Sequence, residues 1–279
     1  MDVRKSASRM TAEEKSRFVA ALIELKSTGH YDHLVHIHHR AMMEINPDPA
    51  HGGPAFFPWH RYYLRHLELD LQQVDPSVTI PYWDWTRDRS HTGAPWTDDL
   101  MGGDGRDRDG RVMTGPFAYS SGNWPIRVKD RPDQPDYLAR VLSPPRLLPE
   151  RWEVGRIMRR VPFDARPWNF RTDPTKSFRA ALEMGPHNHV HMWVGGNMSR
   201  AASPNDPVFF LHHAMIDRLW AKWQKLHPTE RYRPRTGGPR GHNLDDRMWP
   251  WRREEPAVTP RSVLDHRDLG YRYDDEGRL

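Results

Sequence analysis

Histidine placement is what most constrains this chain. Five of its 17 histidines (His38, His60, His187, His191 and His213) fall on the apolar stripe of helical segments, and the sequence has no cysteine. A lone histidine on an apolar helix face is usually a satisfied core residue, but several such helices in one chain weaken that explanation. Without cysteine there can be no disulfide, thiolate zinc site, iron–sulfur cluster or cysteine nucleophile. Any metal must be held by imidazole or carboxylate, and imidazole is the usual ligand of copper and zinc.

Periodicity places those histidines. Thr11 as N-cap, with Glu14 three residues later, predicts a helix over 11–28 carrying Phe18, Ala21, Leu22 and Leu25. A second helix is expected over 31–45, with Leu34, His38, Ala41, Met42 and Ile45 on one face. A third is expected over 60–74, after Pro58, with His60, Tyr63, Leu64, Leu67, Leu71 and Val74 inward. Residues 78–85 read as extended and buried, and residues 86 to about 135 as a loop rich in Gly, Pro and Asp. Short helices are expected over 147–160, 174–184 and 187–193. The last strong helix opens at Asp206 as N-cap with Pro207 in its first position, and runs to about Leu226. From 228 the tail is rich in Pro, Arg and Gly, with few packing signals. The fold class is mainly α: a central four-helix bundle bearing the histidines, with extensive wrapping loops and a few short strands, in one domain over 1–279.

Composition excludes other classes. The net charge is +5 and the pI near 9.5, but the excess arginine lies in turns and tail, as in Arg231-Tyr232-Arg233-Pro234-Arg235. That reads as a solvated basic surface. No zinc finger, RRM-like aromatic pattern or basic helix argues for nucleic acid. Apolar runs are as short as Phe209-Phe210-Leu211, so no membrane span is expected. The N-terminus has no apolar h-region, so no signal peptide of its own is expected. Localisation stays open between the cytoplasm and export together with another protein. Asp107-Arg108-Asp109-Gly110 hints at a calcium loop but has Gly105 where the first aspartate belongs, and reads as a turn.

His187 and His191 are four residues apart and share a helical face, so together they can hold one metal with a third ligand from elsewhere. The glutamate of an HExxH protease is missing between them. In His212-His213 periodicity alone cannot choose, since both lie near the apolar stripe. His51, in the loop His51-Gly52-Gly53-Pro54, is a plausible loop ligand nine residues before His60.

The segment from His51 through Phe56-Phe57-Pro58-Trp59-His60-Arg61 resembles the CuA signature of the tyrosinase family. Asn205-Asp206-Pro207-Val208-Phe209-Phe210-Leu211-His212-His213-Ala214-Met215-Ile216-Asp217-Arg218-Leu219-Trp220 resembles its CuB signature. Pro81-Tyr82-Trp83-Asp84-Trp85, Gly122-Asn123-Trp124-Pro125, Trp193-Val194-Gly195-Gly196 and Tyr271-Arg272-Tyr273 fit the same family, in its small bacterial form. The resemblance implies two copper ions: CuA held by His38, His51 and His60, and CuB by His187, His191 and His213, with O2 as co-substrate. It gives no ligand role to His33, His36, His39, His66, His189 or His212. The implied activity is ortho-hydroxylation of monophenols and oxidation of o-diphenols to o-quinones. Glu183, in a stretch resembling the family's FRxxLE element, and Asn188 match an asparagine and glutamate that hold a basic water. The segment from Glu183 to His187 is short relative to close bacterial relatives. His189 stands where relatives often carry arginine. Arg200, on a loop expected to rim the CuB side, is a candidate partner for a substrate carboxylate.

Three alternatives remain. The first is an o-aminophenol or catechol oxidase with little monophenolase activity. The second is an O2 carrier of the hemocyanin kind, disfavoured because the chain has no room for a shielding domain. The third is a zinc hydrolase, disfavoured for want of a placed general base. The expected partners are a phenol, catechol or o-aminophenol substrate and a separate copper-loading chaperone.

Overall fold

The computed structural model describes residues 1–276. Its main helices are α1 (Ala12–Thr28), α2 (His30–Met43), α3 (Phe56–Val74), α4 (Arg151–Ile157), α5 (Phe178–Leu182), α6 (Asn188–Val194) and α7 (Val208–Leu226). Two short strands, β1 (Asp2–Arg4) and β2 (Tyr271–Tyr273), pair in parallel with Val3 opposite Arg272. No described helix is long and apolar enough to cross a membrane.

Local chemistry explains most boundaries. The expected capping box opens α1: Thr11 Oγ1 accepts from Glu14 N, and Glu14 returns the bond to Thr11 N. Gly29, at φ 84°, then turns the chain straight into α2. Helix α3 begins at Phe56, four residues earlier than periodicity suggests. Pro58 sits in its first turn, where the missing N–H has no intrahelical acceptor to lose. The Asp206 carboxylate accepts from Val208 N at 3.1 Å as α7 opens, and the buried Arg140 guanidinium grips its two oxygens at 2.7 and 2.8 Å.

Between α5 and α6 the chain takes one wide π turn, Glu183–His187, with Gly185 off helical geometry and Pro186 unable to donate. Of the three predicted short helices, the first two are shorter than expected, while α6 has the expected length shifted by one residue. Prolines 144, 145, 149 and 162 confine the first to α4, and the second forms only after Ser177, whose hydroxyl caps Ala180 N.

Helices α3 and α7 pack on each other, with α1 and α2 against them. Residues 78–85 are buried as expected, but they form a bridge at Ser6–Tyr82 and not a strand. Asp107–Gly110 is a turn, its Asp109 carboxylate held by Arg106 at 2.8 and 2.7 Å.

The tail corrects an expectation. Far from lacking packing signals, residues 228–276 bury Tyr232, Leu244, Met248, Trp251, Val258, Val263, Tyr271 and Tyr273. Their apolar groups come singly between prolines and glycines, so they leave no periodic trace. At the end of this tail the Tyr271 and Tyr273 hydroxyls both donate to Asp217 of α7 at 2.6 Å, and Arg4 lies 3.5 Å from the Tyr271 ring centre. Arg61 of α3 donates to the same carboxylate at 2.5 Å. Asp217 thus ties α3, α7 and both chain ends together.

Candidate metal centre

Two groups of histidines face each other across the α3–α7 seam. His38 of α2, His51 of the preceding loop of α3 and His60 of α3 present ring nitrogens within 4.8 Å of one another, and so do His187, His191, His212 and His213. Within the first group the ring centres lie 4.8, 5.0 and 5.8 Å apart. Between the groups His60 stacks on His213, centres 4.3 Å apart and 19° from parallel. Phe56 lies 4.8 Å from both His60 and His187, and Phe209 lies 5.0 Å from His38 and 4.0 Å from His213. These two phenylalanines fill the space around the seam with apolar surface.

Five of the six rings are aimed by what their Nδ1 touches; the Nδ1 of His213 has no partner. His38 donates to Ala201 O at 2.9 Å, His60 to Phe56 O at 2.8 Å and His191 to Met198 O at 2.7 Å. His51 donates to the Asp48 carboxylate at 3.0 Å, and His187 to Asn188 Oδ1 at 2.9 Å. These bonds fix the tautomer with the proton on Nδ1 and leave Nε2 free as a lone-pair donor toward the centre. The Nε2 atoms of His38 and His60 are buried with no partner. The Nε2 of His213 lies 3.3 Å from that of His187 and 3.2 Å from that of His191. Three imidazoles around one ion at about 2.0–2.1 Å would set their nitrogens about 3.3–3.6 Å apart. The spacing in the second group therefore matches a bound metal, and the all-imidazole donor set fits one in each group.

His212 is buried and its ring lies 19° from parallel with His187, centres 5.3 Å apart. In-plane lone pairs on stacked rings run side by side and do not converge. His213, whose ring is 77° from that of His187, points its Nε2 at the common point instead. Of the other histidines given no ligand role, His33, His36 and His189 are exposed, while His39 and His66 are half-buried.

Burial is the first cause of the low basicity here. It drives His38, His60, His187, His212 and His213 well below the usual imidazole range, with neighbouring imidazoles adding to it. His191 is pushed down to about 4, by burial first. His51 differs: burial lowers it, but the Asp48 carboxylate outweighs that and the net shift is upward.

Glu183 is buried beside the first group. Its Oε1 accepts from Gly52 N at 2.6 Å and its Oε2 from Arg179 at 2.9 Å. Burial raises its pKa, and Arg179 and the Gly52 N–H oppose that rise. Asn188 and His189 lie exposed at the start of α6. Arg200 lines a cavity of about 320 Å³ with Gln134, Tyr137, Asn197 and Ser199, and none of the six expected ligands lines it. The backbone beside Arg200 does reach the centre, through the Ala201 and Met198 carbonyls.

Several supporting residues escaped the sequence. His242, from the tail, is 2% exposed; its Nε2 donates to Asp48 O at 2.9 Å and its Nδ1 accepts from Ala55 N at 3.2 Å. It staples both ends of the loop that carries His51. Gly53 is required there, since a Cβ would lie 2.7 Å from the His242 ring. Asp48, three residues before His51, had a detectable signal in its spacing; His242 had none.

A model of the common central domain of tyrosinase matches residues 28–226. A tyrosinase of Streptomyces glaucescens is 47% identical over 274 residues, covering 95% of this chain and 97% of that protein. A grixazone synthase of Streptomyces griseus subsp. griseus is 40% identical, covering 98% of this chain and 99% of that one. Among solved structures, a functional unit of Octopus hemocyanin superposes with a TM-score of 0.68 at 20% identity, over 98% of this chain and 68% of that one.

Proposed function

The chain belongs to the tyrosinase family, and on that premise we propose that it holds two copper ions and acts on phenols as a tyrosinase does: it hydroxylates monophenols ortho to the ring oxygen and oxidises o-diphenols to o-quinones with O2. The observation that carries this reading is the pair of all-imidazole groups meeting at the His60–His213 stack. His38, His51 and His60 would hold one copper, and His187, His191 and His213 the other. Bound copper would supply the electrons that O2 reduction needs, which zinc cannot. One domain spanning residues 1–279 carries the activity, since Arg4, Asp217 and Tyr273 join its two ends to α7.

The chain's own groups handle the phenol proton. Each Glu183 oxygen has one partner and keeps a second lone pair for a water. Asn188 spends its carbonyl on His187 and keeps its amide N–H groups to donate to that water. A water so held takes the proton from the phenol oxygen, and Glu183, made more basic by burial, shares it. His189 and Arg200 are the proposed substrate contacts. Loss of a preference for carboxylated phenols in Arg200→Ala supports that role, and unchanged relative rates remove it.

The experiment is to load the purified protein with copper, measure copper per chain, and follow O2 uptake with tyrosine, catechol and o-aminophenol side by side. Two coppers per chain and quinone from tyrosine are expected. Turnover of o-aminophenol or catechol without tyrosine moves the assignment to the corresponding oxidase, and O2 binding without turnover moves it to a carrier. Loading from free copper without a helper protein would remove the proposed chaperone.

A further inference from the structure

The ligands differ in how far they are open to solvent. His38, His60, His187 and His213 are buried, whereas His51 and His191 are partly exposed. The centre is therefore reached past His51 and His191, next to the exposed Asn188. Gly52, the residue after His51, has φ +66° and packs against Phe170, whose Cβ lies 3.4 Å from where a Gly52 Cβ would stand. Phe170 itself is 66% exposed. A single exposed apolar residue needs no explanation by itself, but this one stands on an unusually constrained segment.

Trp168 holds a left-handed φ of 58°, rare for a bulky side chain. Asn169 N donates to Thr172 Oγ1 at 3.1 Å, Arg171 N donates to Asn169 Oδ1 at 2.8 Å, and the Thr172 hydroxyl donates to Ala165 O at 3.2 Å. Beneath them the buried Arg179 guanidinium donates to Asn169 O, to Asp164 and to Glu183. One guanidinium thus fixes both the segment bearing Phe170 and the carboxylate proposed to hold the basic water. The Arg171 guanidinium lies 5.4 Å from the Phe170 ring centre and adds a further restraint on the ring.

We propose that Phe170 is a specificity-determining residue: an outer aromatic wall, on the His51 side of the mouth, that packs on the para substituent of the entering phenol. This rests on the proposed function and adds the class of phenol favoured, one with an apolar para group. Ring-on-apolar contact at such a place changes affinity by about three- to tenfold.

The test compares catechol with 4-tert-butylcatechol in wild type, Phe170→Ala and Phe170→Tyr. Wild type should have the lower KM for the tert-butyl substrate. Phe170→Ala should raise that KM about three- to tenfold, with kcat for both substrates and KM for catechol changed less than about twofold. Phe170→Tyr, which keeps the ring, should restore the preference. Binding of 4-tert-butylphenol to the metal-free proteins, followed by calorimetry, should weaken in Phe170→Ala by the same factor. If neither substrate is turned over by wild type, the proposed function falls, and the metal-free titration still decides the wall. An unchanged KM ratio together with unchanged binding overturns the inference, and so does an equal loss for both substrates.

Discussion

In the first histidine group two helices and a loop each supply one imidazole, whereas in the second every imidazole stands on a helix or at its mouth. The loop member, His51, is aimed by a carboxylate and is raised in basicity; its five counterparts among the proposed ligands are aimed by uncharged oxygens, or left without a partner at Nδ1 in His213, and are lowered. The second group also stacks a fourth imidazole, His212, against His187. A helical scaffold presents its ligands with at most an uncharged oxygen behind each ring. A loop must be held by charge and by distant residues, here Asp48, His242 and Glu183. The two groups should respond differently to the same insult.

Acid should expose the contrast most strongly. An imidazole whose folded pKa is depressed stays neutral in the native state, while the unfolded chain binds a proton near the ordinary value of about 6.5. The unfolded state then binds more protons, so stability falls as pH drops below about 6.5 toward the folded values. For His191 that window closes at about 4. His51 has the opposite sign: its contribution is complete at low pH and is lost as pH rises through its raised folded value. Metal-free protein should therefore lose stability steeply between pH 6.5 and 4 in denaturant titrations. His213→Gln should flatten that slope and His51→Gln should not. Equal flattening by both would erase the distinction between the groups.

Next in size is Asp217→Ala. It would leave Arg61 buried beside an empty place and free two tyrosine hydroxyls, at a cost of about 3–5 kcal/mol. Because Asp217 serves the seam, copper at both groups should weaken together, measured as copper per chain after dialysis. Loss from one group alone would show that the seam is not shared.

Asp48→Asn acts on one group only. Removing the charged acceptor behind His51 should weaken one copper about 10–100-fold and leave the other unchanged, in competition titrations with a chelator. Symmetrical weakening would contradict the separate anchoring of the two groups. The smallest effect belongs to His212→Phe, which keeps the stacked ring and removes its nitrogens. Copper should remain at two per chain and stability should change by less than about 1.5 kcal/mol. Loss of one copper would transfer the ligand role from His213 to His212.

The same contrast separates what the sequence discloses from what it hides. His38 and His60 were legible because a helix repeats, and the apolar stripe around them marks the inward face; His213 shares that stripe with His212, and only the resemblance to a signature separates the two. His51 was legible only through its resemblance to a signature, since a loop has no period. Asp48 was within reach, three residues upstream. His242 was not: its value comes from a contact across 194 residues with the Asp48 carbonyl, and nothing local marks it. Arg200 was expected on a loop at the CuB side; the carbonyls of that loop touch both groups, while the Arg200 side chain lines a cavity that none of the six expected ligands lines. The tail was undervalued because isolated aromatics between prolines carry no periodic signal, although Tyr271 and Tyr273 are fully buried.

The staple made by His242 also sets an order of events. All six proposed ligands lie between residues 38 and 213, inside the stretch shared with the family's common central domain. The group that secures the His51 loop is made 29 residues after the last of them, and the tyrosines that lock Asp217 later still. A chain growing on the ribosome thus has every ligand before it has His242 to close the His51 loop or the tyrosines to lock Asp217. Metal captured at that stage would find one group organised and the other slack, so a correctly paired centre belongs to the finished chain.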